Sequence, residues 1–213
     1  MAWPIALTML GETAMGLVDT KLVSGLGAEA LGGVGVANSL LYLSVISMLG
    51  LMRGVKICAA HTMGDGRPQD GLRYAQVGLL TGFSLGLLIA WAFQHGETFF
   101  HLLGASNELV SPAQLYLAAR GFGVPAACAY FALMEYRQGL GDVRLPMLIG
   151  VAGNLLNAVL AYALIYGHAG LPALGVAGAG YGTAICEVLQ LCAMGAVMLR
   201  NPQRESPTLT LRQ

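Results

Sequence analysis

Residues 3–24, WPIALTMLGETAMGLVDTKLVS, are long and apolar enough to cross a bilayer as a helix, yet they contain Glu12, Asp19 and Lys21. A charge near the middle of such a span costs about 2.5–3.5 kcal/mol on insertion scales, so acids there are rare. Glu12 and Asp19 are seven residues apart, two helical turns, and therefore share a face that must look at protein or water. The chemistry open to such a carboxylate is reversible binding of a proton or a cation at a cavity. The plainer alternative is a neutral, hydrogen-bonded aspartic acid that only ties helices together. Lys21 points elsewhere around the helix and lies near one end, within reach of the headgroups. Pro4 stands in the first turn, where a missing backbone donor costs little, or it kinks the helix if the helix begins earlier.

Further polar groups lie in later apolar runs. Asn154 and Asn157 are three apart on neighbouring parts of one face, and Thr183 and Glu187 are four apart on another. Asn157 and Thr183 offer neutral oxygens that could complete a site around Asp19. The alternative is interhelical hydrogen bonding, worth about 0.6–2 kcal/mol per bond. Asn154 and Glu187 are accessory candidates with Glu12, and Glu187 is expected to face the bundle interior. Arg120 either pairs with a buried acid or reaches outward to the headgroups.

Other spacings suggest enzymes less well. Gly82-Phe83-Ser84-Leu85-Gly86 matches G-x-S-x-G, but a nucleophile elbow needs a strand-to-helix turn and a nearby base. This run sits inside an apolar helix with no histidine. Gly139-Leu140-Gly141-Asp142 and Pro172-Ala173-Leu174 resemble motifs of intramembrane aspartyl proteases, whose chemistry needs two carboxylates sharing a site. Asp142 lies in an Arg- and Pro-flanked loop on the side opposite Asp19. His95 and His101 are six apart in one loop, and His61 and His168 lie apart from them; these read as surface residues, and no metal is expected. Cys58, Cys128, Cys186 and Cys192 fall in apolar runs without a CxxC pair and read as small core or lipid-facing residues. No catalytic residue is expected.

The elements that must position these groups are membrane helices. Only 10% of the 213 residues are charged, against about 25% in soluble domains, and 56% are hydrophobic. Zero net charge and the lack of a Lys/Arg cluster argue against nucleic acid as a partner. Six spans are predicted at 2–24, 31–60, 73–94, 113–137, 146–167 and 174–199, within a bundle of residues 1–199, followed by a polar tail at 200–213. The first span lacks a positive leader and a cleavage site and is read as a mature helix. Arg67, Arg73, Arg137, Arg144, Arg200, Arg204 and Arg212 fall in alternate loops and the tail, while the other loops carry no Lys or Arg. The positive-inside rule then puts both termini in the cytoplasm. Gly78, Gly82 and Gly86 form a small-residue ridge for close helix packing, a pattern repeated by Gly50/Gly54 and Gly178/Gly182.

Four stretches carry a family resemblance. PIALTMLGETAMGLVDTKLVSGLGAEALGGVGVA resembles the opening of the multidrug and toxic compound extrusion (MATE) transporters, NorM-like branch, and RQGLGDVRLPM, NLLNAVLAY and LGVAGAGYGT follow in the family's order. The resemblance covers nearly the whole chain but only the amino-terminal, six-helix lobe of proteins about twice as long. It implies that Asp19 binds the coupling proton or sodium ion, that Pro4 bends its helix, and that Asn157 and Thr183 are the matching site residues of the fifth and sixth spans. Where many relatives carry a second acid one turn after the asparagine, this chain has Ala161. A single carboxylate with neutral oxygens suits a proton or weakly held monovalent ion, not a hard divalent one. Glu12 stands where NorM-like relatives often have glutamine, and it is a candidate for the missing charge.

The expectation is therefore an all-α membrane bundle. Its implied role is secondary active efflux of cationic or amphipathic organic compounds in exchange for H+ or Na+, with no cofactor, in the cell inner membrane. A second six-helix half or a homodimer is expected to complete the pathway. The alternative from a different class is a non-transporting structural or regulatory half-bundle.

Overall fold

A computed structural model describes residues 2–102, 104–168 and 170–200, with the side chains of residues 2–9, 12–14, 68 and 69 excepted. Every described element is a helix: α1 (Ala2–Ser24), α2 (Ala28–Gly64), α3 (Pro68–Gln94), α4 (Gly96–Leu102), α5 (Asn107–Gly121), α6 (Val124–Gly139), α7 (Arg144–Tyr166) and α8 (Val176–Arg200). The expected all-α membrane fold is what the chain adopts. Four helices, α2, α3, α7 and α8, are long and apolar enough to cross a membrane, or five crossings if α5 and α6 together make one. α1 has 23 residues, about 35 Å of helix, but three charged residues dilute its apolar character. Pro4 lies within α1, and its side chain, like that of Glu12, is outside the described residues. The tail after Arg200 is outside them too.

The span predicted at 113–137 is not one straight helix. α5 and α6 meet at Phe122 and Gly123 with a bend of 53°. The run Gly121-Phe122-Gly123-Val124-Pro125 explains it: Pro125 lies in the first turn of α6 and has no N–H to continue the ladder of α5. The helix that carries the predicted span 31–60 extends past it at both ends, since α2 has 37 residues.

Packing follows the glycines. On α3, a Cβ at Gly82 would stand 2.7 Å from the Cys128 carbonyl oxygen, and one at Gly86 would stand 2.5 Å from Pro125 Cα. The ridge therefore holds α3 against the backbone of α6. Gly178 and Gly182 likewise meet Leu164 and Ala161, joining α8 to α7. A Cβ at Gly50 or Gly54 meets nothing within 4 Å among the described residues, so that pair serves no close packing between them. α2 lies between α3, α5 and α6; α1 packs on α7, and α8 also touches α5 and α6. Large apolar side chains such as Leu43, Ile46, Leu80, Leu88 and Trp91 are exposed on the outside, as lipid contact requires.

Asp142 caps α7. Its Oδ1 accepts from the backbone N–H groups of Arg144 and Leu145, both at 3.2 Å, while Oδ2 holds the buried Arg137 guanidinium. A carboxylate committed in this way is a turn-former, which removes the protease-like reading of the Gly139–Asp142 stretch. The four cysteines are free: Cys128 and Cys186 are buried, Cys58 is half-buried and Cys192 is exposed.

Candidate cation-binding site

The α1 face that carries Asp19 looks inward. Met15, Gly16 and Asp19 line a cavity of about 230 Å³, and Val23, one turn on, is fully buried. Leu17, Val18 and Lys21 on the other sides are exposed. The cavity wall is completed by Asn38 and Tyr42 of α2, Tyr116 and Arg120 of α5, Phe131 and Met134 of α6, Asn154 of α7, and Thr183, Glu187 and Gln190 of α8.

Behind Asp19 the three predicted residues converge. Asn157 has no exposure and Thr183 very little. With the amide nitrogen of Asn157 turned toward Asp19, Nδ2 donates to Asp19 Oδ1 at 3.2 Å. The amide oxygen then accepts from the Thr183 backbone N–H at 3.1 Å and faces the Thr183 hydroxyl at 2.9 Å. The opposite orientation would set the amide oxygen against the carboxylate of Asp19, acceptor against acceptor, so donor complementarity selects the first for an ionised Asp19. The Thr183 hydroxyl also lies 3.1 Å from the Ala179 carbonyl oxygen, one turn earlier in its own helix. Ala161, the position lacking an acid, is fully buried against Gly182; a Cβ at Gly182 would stand 3.0 Å from the Ala161 nitrogen.

Of the accessory candidates, Asn154 and Glu187 reach the cavity wall. Gly11 sits against Asn154, which brings the backbone beside Glu12 to the same level. Arg120 resolves to pairing: its Nη1 lies 2.6 Å from Glu187 Oε1, with both side chains largely buried. Asn38, Tyr42, Tyr116 and Gln190 were not among the predicted residues. Asn38 and Tyr42 sit one turn apart on α2, and Gln190 lies three residues after Glu187, so polar spacing was a usable signal for them. Among the described residues there is no group of three His, Cys, Asp or Glu side chains that could hold a metal ion.

Residues 4–163 match the family model MatE. The chain belongs to the MatE family. Members of this family are transporters and not enzymes. The chain is 36% identical over 188 residues to the multidrug resistance protein PmpM of Pseudomonas aeruginosa, covering 86% of this chain and 39% of that protein. It is 32% identical over 197 residues to the probable multidrug resistance protein NorM of Bradyrhizobium diazoefficiens, covering 92% and 42% respectively. Its fold matches a multidrug resistance MATE family transporter of the MOP superfamily, solved in an outward-facing conformation, with a TM-score of 0.84 and 26% identity. That match covers 97% of this chain and 45% of the other. The chain thus spans about two fifths of the length of these curated relatives. Family and apolar helices together make it a multi-pass membrane protein.

Proposed function

We propose that this chain forms the cation-handling lobe of a secondary active multidrug efflux antiporter. In this reading it serves export of cationic or amphipathic organic compounds in exchange for H+ or Na+. The observation that carries the reading is Asp19, seated on a cavity wall and tied through Asn157 to Thr183. Family membership supports the transport class, and the names of the matched relatives, multidrug resistance proteins, support small organic substrates.

The mechanism is competition for one carboxylate. A proton or alkali ion at Asp19 favours one arrangement of the helices around the cavity, and substrate favours another. A ligand shifts such an equilibrium only by its differential affinity for the two states. Asn157 holds the Asp19 carboxylate in place and Thr183 fixes the Asn157 amide, so the carboxylate is the group that takes the proton or monovalent ion. Met15, Tyr42, Phe131 and Met134 give the cavity an adaptable apolar wall, suited to substrates of varied shape. On this reading Pro4 lets α1 bend between the two arrangements, and Asn154, Glu187 and Glu12 are accessory polar groups around the cavity.

In the membrane, α1, α2, α3, α5 with α6, α7 and α8 make six crossings. Both termini and the tail at 200–213 face the cytoplasm, across the inner or plasma membrane. A second six-helix half, or a second copy in the same orientation about an axis normal to the membrane, supplies the opposite wall of the pathway.

Dye efflux in everted vesicles tests the reading. Asp19→Asn is expected to abolish ion-driven efflux of a cationic dye while the protein still inserts and stays monodisperse. Efflux retained by Asp19→Asn would sink the assignment. Wild type without efflux, alone or with a second half supplied, would favour the structural half-bundle.

A further inference from the structure

The Arg120–Glu187 pair is not used by the Asp19 site, yet it shares the same cavity. Asp19, Arg120 and Glu187 are the described lining residues with formal charge, so two carboxylates face one guanidinium. Arg120 and Asp19 line the same cavity, and the ion pair at 2.6 Å is the one with Glu187. Both members of the pair are pinned. Arg120 belongs to the last turn of α5, beside the 53° break. Glu187 turns its Oε2 toward Gly123 at that break, where a Cβ would collide with the carboxylate and stand 2.5 Å from Ala184 Cα. Oε2 has no hydrogen-bond donor among the described residues. Arginine keeps its charge in proteins, so Arg120 counters Glu187, while Asp19 has no ion-pair partner among the described residues.

We propose that Arg120 is a specificity-determining counter-charge, which leaves one uncompensated negative charge, Asp19, among the described residues lining the cavity and so selects monovalent over divalent or dicationic cargo. This rests on the efflux reading and deepens it. A monocation, organic or alkali, neutralises the cavity. A dication leaves one positive charge unpaired in a poorly solvated space, which is costly. Without Arg120, two carboxylates would face the same volume and the preference would reverse. Arg120 thus sets the valence of the cargo, and Asp19 binds it.

The test is binding of tetraphenylphosphonium and methyl viologen to the full chain in nanodiscs, in mildly alkaline buffer. Wild type is expected to favour the monocation by about tenfold or more, and Arg120→Gln to move the ratio of affinities toward the dication by about tenfold. The double variant Arg120→Gln/Glu187→Gln restores the balance of charge and is expected to return the ratio toward wild type. A ratio unchanged in Arg120→Gln, or a double variant no nearer to wild type than that single, overturns the proposal while the efflux reading stands. Wild type that binds neither cation overturns both. Should Arg120→Gln fail to fold, Glu187→Gln carries the test. It makes the cavity neutral and is expected to weaken tetraphenylphosphonium about tenfold, as loss of one unit charge requires. Unweakened binding would overturn the counter-charge.

Discussion

Asn157 holds the candidate site together because an amide donates and accepts in fixed directions. Its nitrogen serves Asp19 and its oxygen serves Thr183. Asn157→Leu is therefore expected to cost cation affinity about tenfold, the worth of a charge-assisted hydrogen bond. Thr183→Val is expected to cost less than about threefold, because the Thr183 backbone N–H is kept. Titration of purified protein with a monocation separates the two, and equal losses would mean that the hydroxyl itself binds the ion. Asp142 makes a different kind of prediction. Asp142→Ala strips the cap from α7 and leaves Arg137 buried without its acid, a loss of about 3 kcal/mol or more in unfolding free energy. Unchanged thermal stability in detergent would refute that role. The convergence of Asp19, Asn157 and Thr183 was legible because polar groups in apolar helices are few and must find one another. The Arg120–Glu187 pair was not: the two lie far apart in the chain, and Arg120 had another acceptable fate, reaching the headgroups.

At the scale of elements, the glycine ridge of α3 and the break between α5 and α6 belong together. Gly82 and Gly86 allow α3 to touch the backbone of α6 just past the bend. Gly82→Leu has no room on that seam and is expected to destabilise the protein by about 1–3 kcal/mol. A Cβ at Gly50 on α2 meets nothing among the described residues, so Gly50→Leu is expected to leave stability unchanged. Unfolding of both variants in the same detergent checks the contrast, and equal effects would show that helix propensity, not close approach, decides. Periodicity and run length were enough to find the long helices. They do not reveal the break within residues 113–137 because hydropathy there continues smoothly through Phe122 and Val124. The backbone signal, a pair of glycines followed by Pro125, is one that hydropathy does not register. The same blindness applies to Gly50 and Gly54, since spacing identifies a small-residue stripe and says nothing of which helix, if any, lies against it.

For the whole molecule, the charges outside the membrane make the sharpest statement. Arg67 bonds Asp65 across the α2–α3 turn at 2.9 Å, and this acid, with Asp70 nearby, raises the already high pKa of the guanidinium. That turn and the α6–α7 turn, with Arg137 and Arg144, hold the positive residues expected to stay in the cytoplasm. In a cysteine-free background, a cysteine introduced at Ser206 is expected to resist membrane-impermeant maleimide in whole cells, and one at Thr98 to react. The reverse pattern would invert the topology. The same end of the bundle is fastened by Lys56 of α2, which donates to Gln138 at 2.8 Å and stands 3.7 Å from Glu135. α2 is about 55 Å long, well beyond a hydrocarbon slab of about 30 Å. A rod that outruns its slab must lean or overhang, and the amount of lean follows the acyl-chain length of the surrounding lipid. Thicker or thinner bilayers therefore pull on the Lys56 fastening through the tilt of α2, which makes lipid length a mechanical input to this protein.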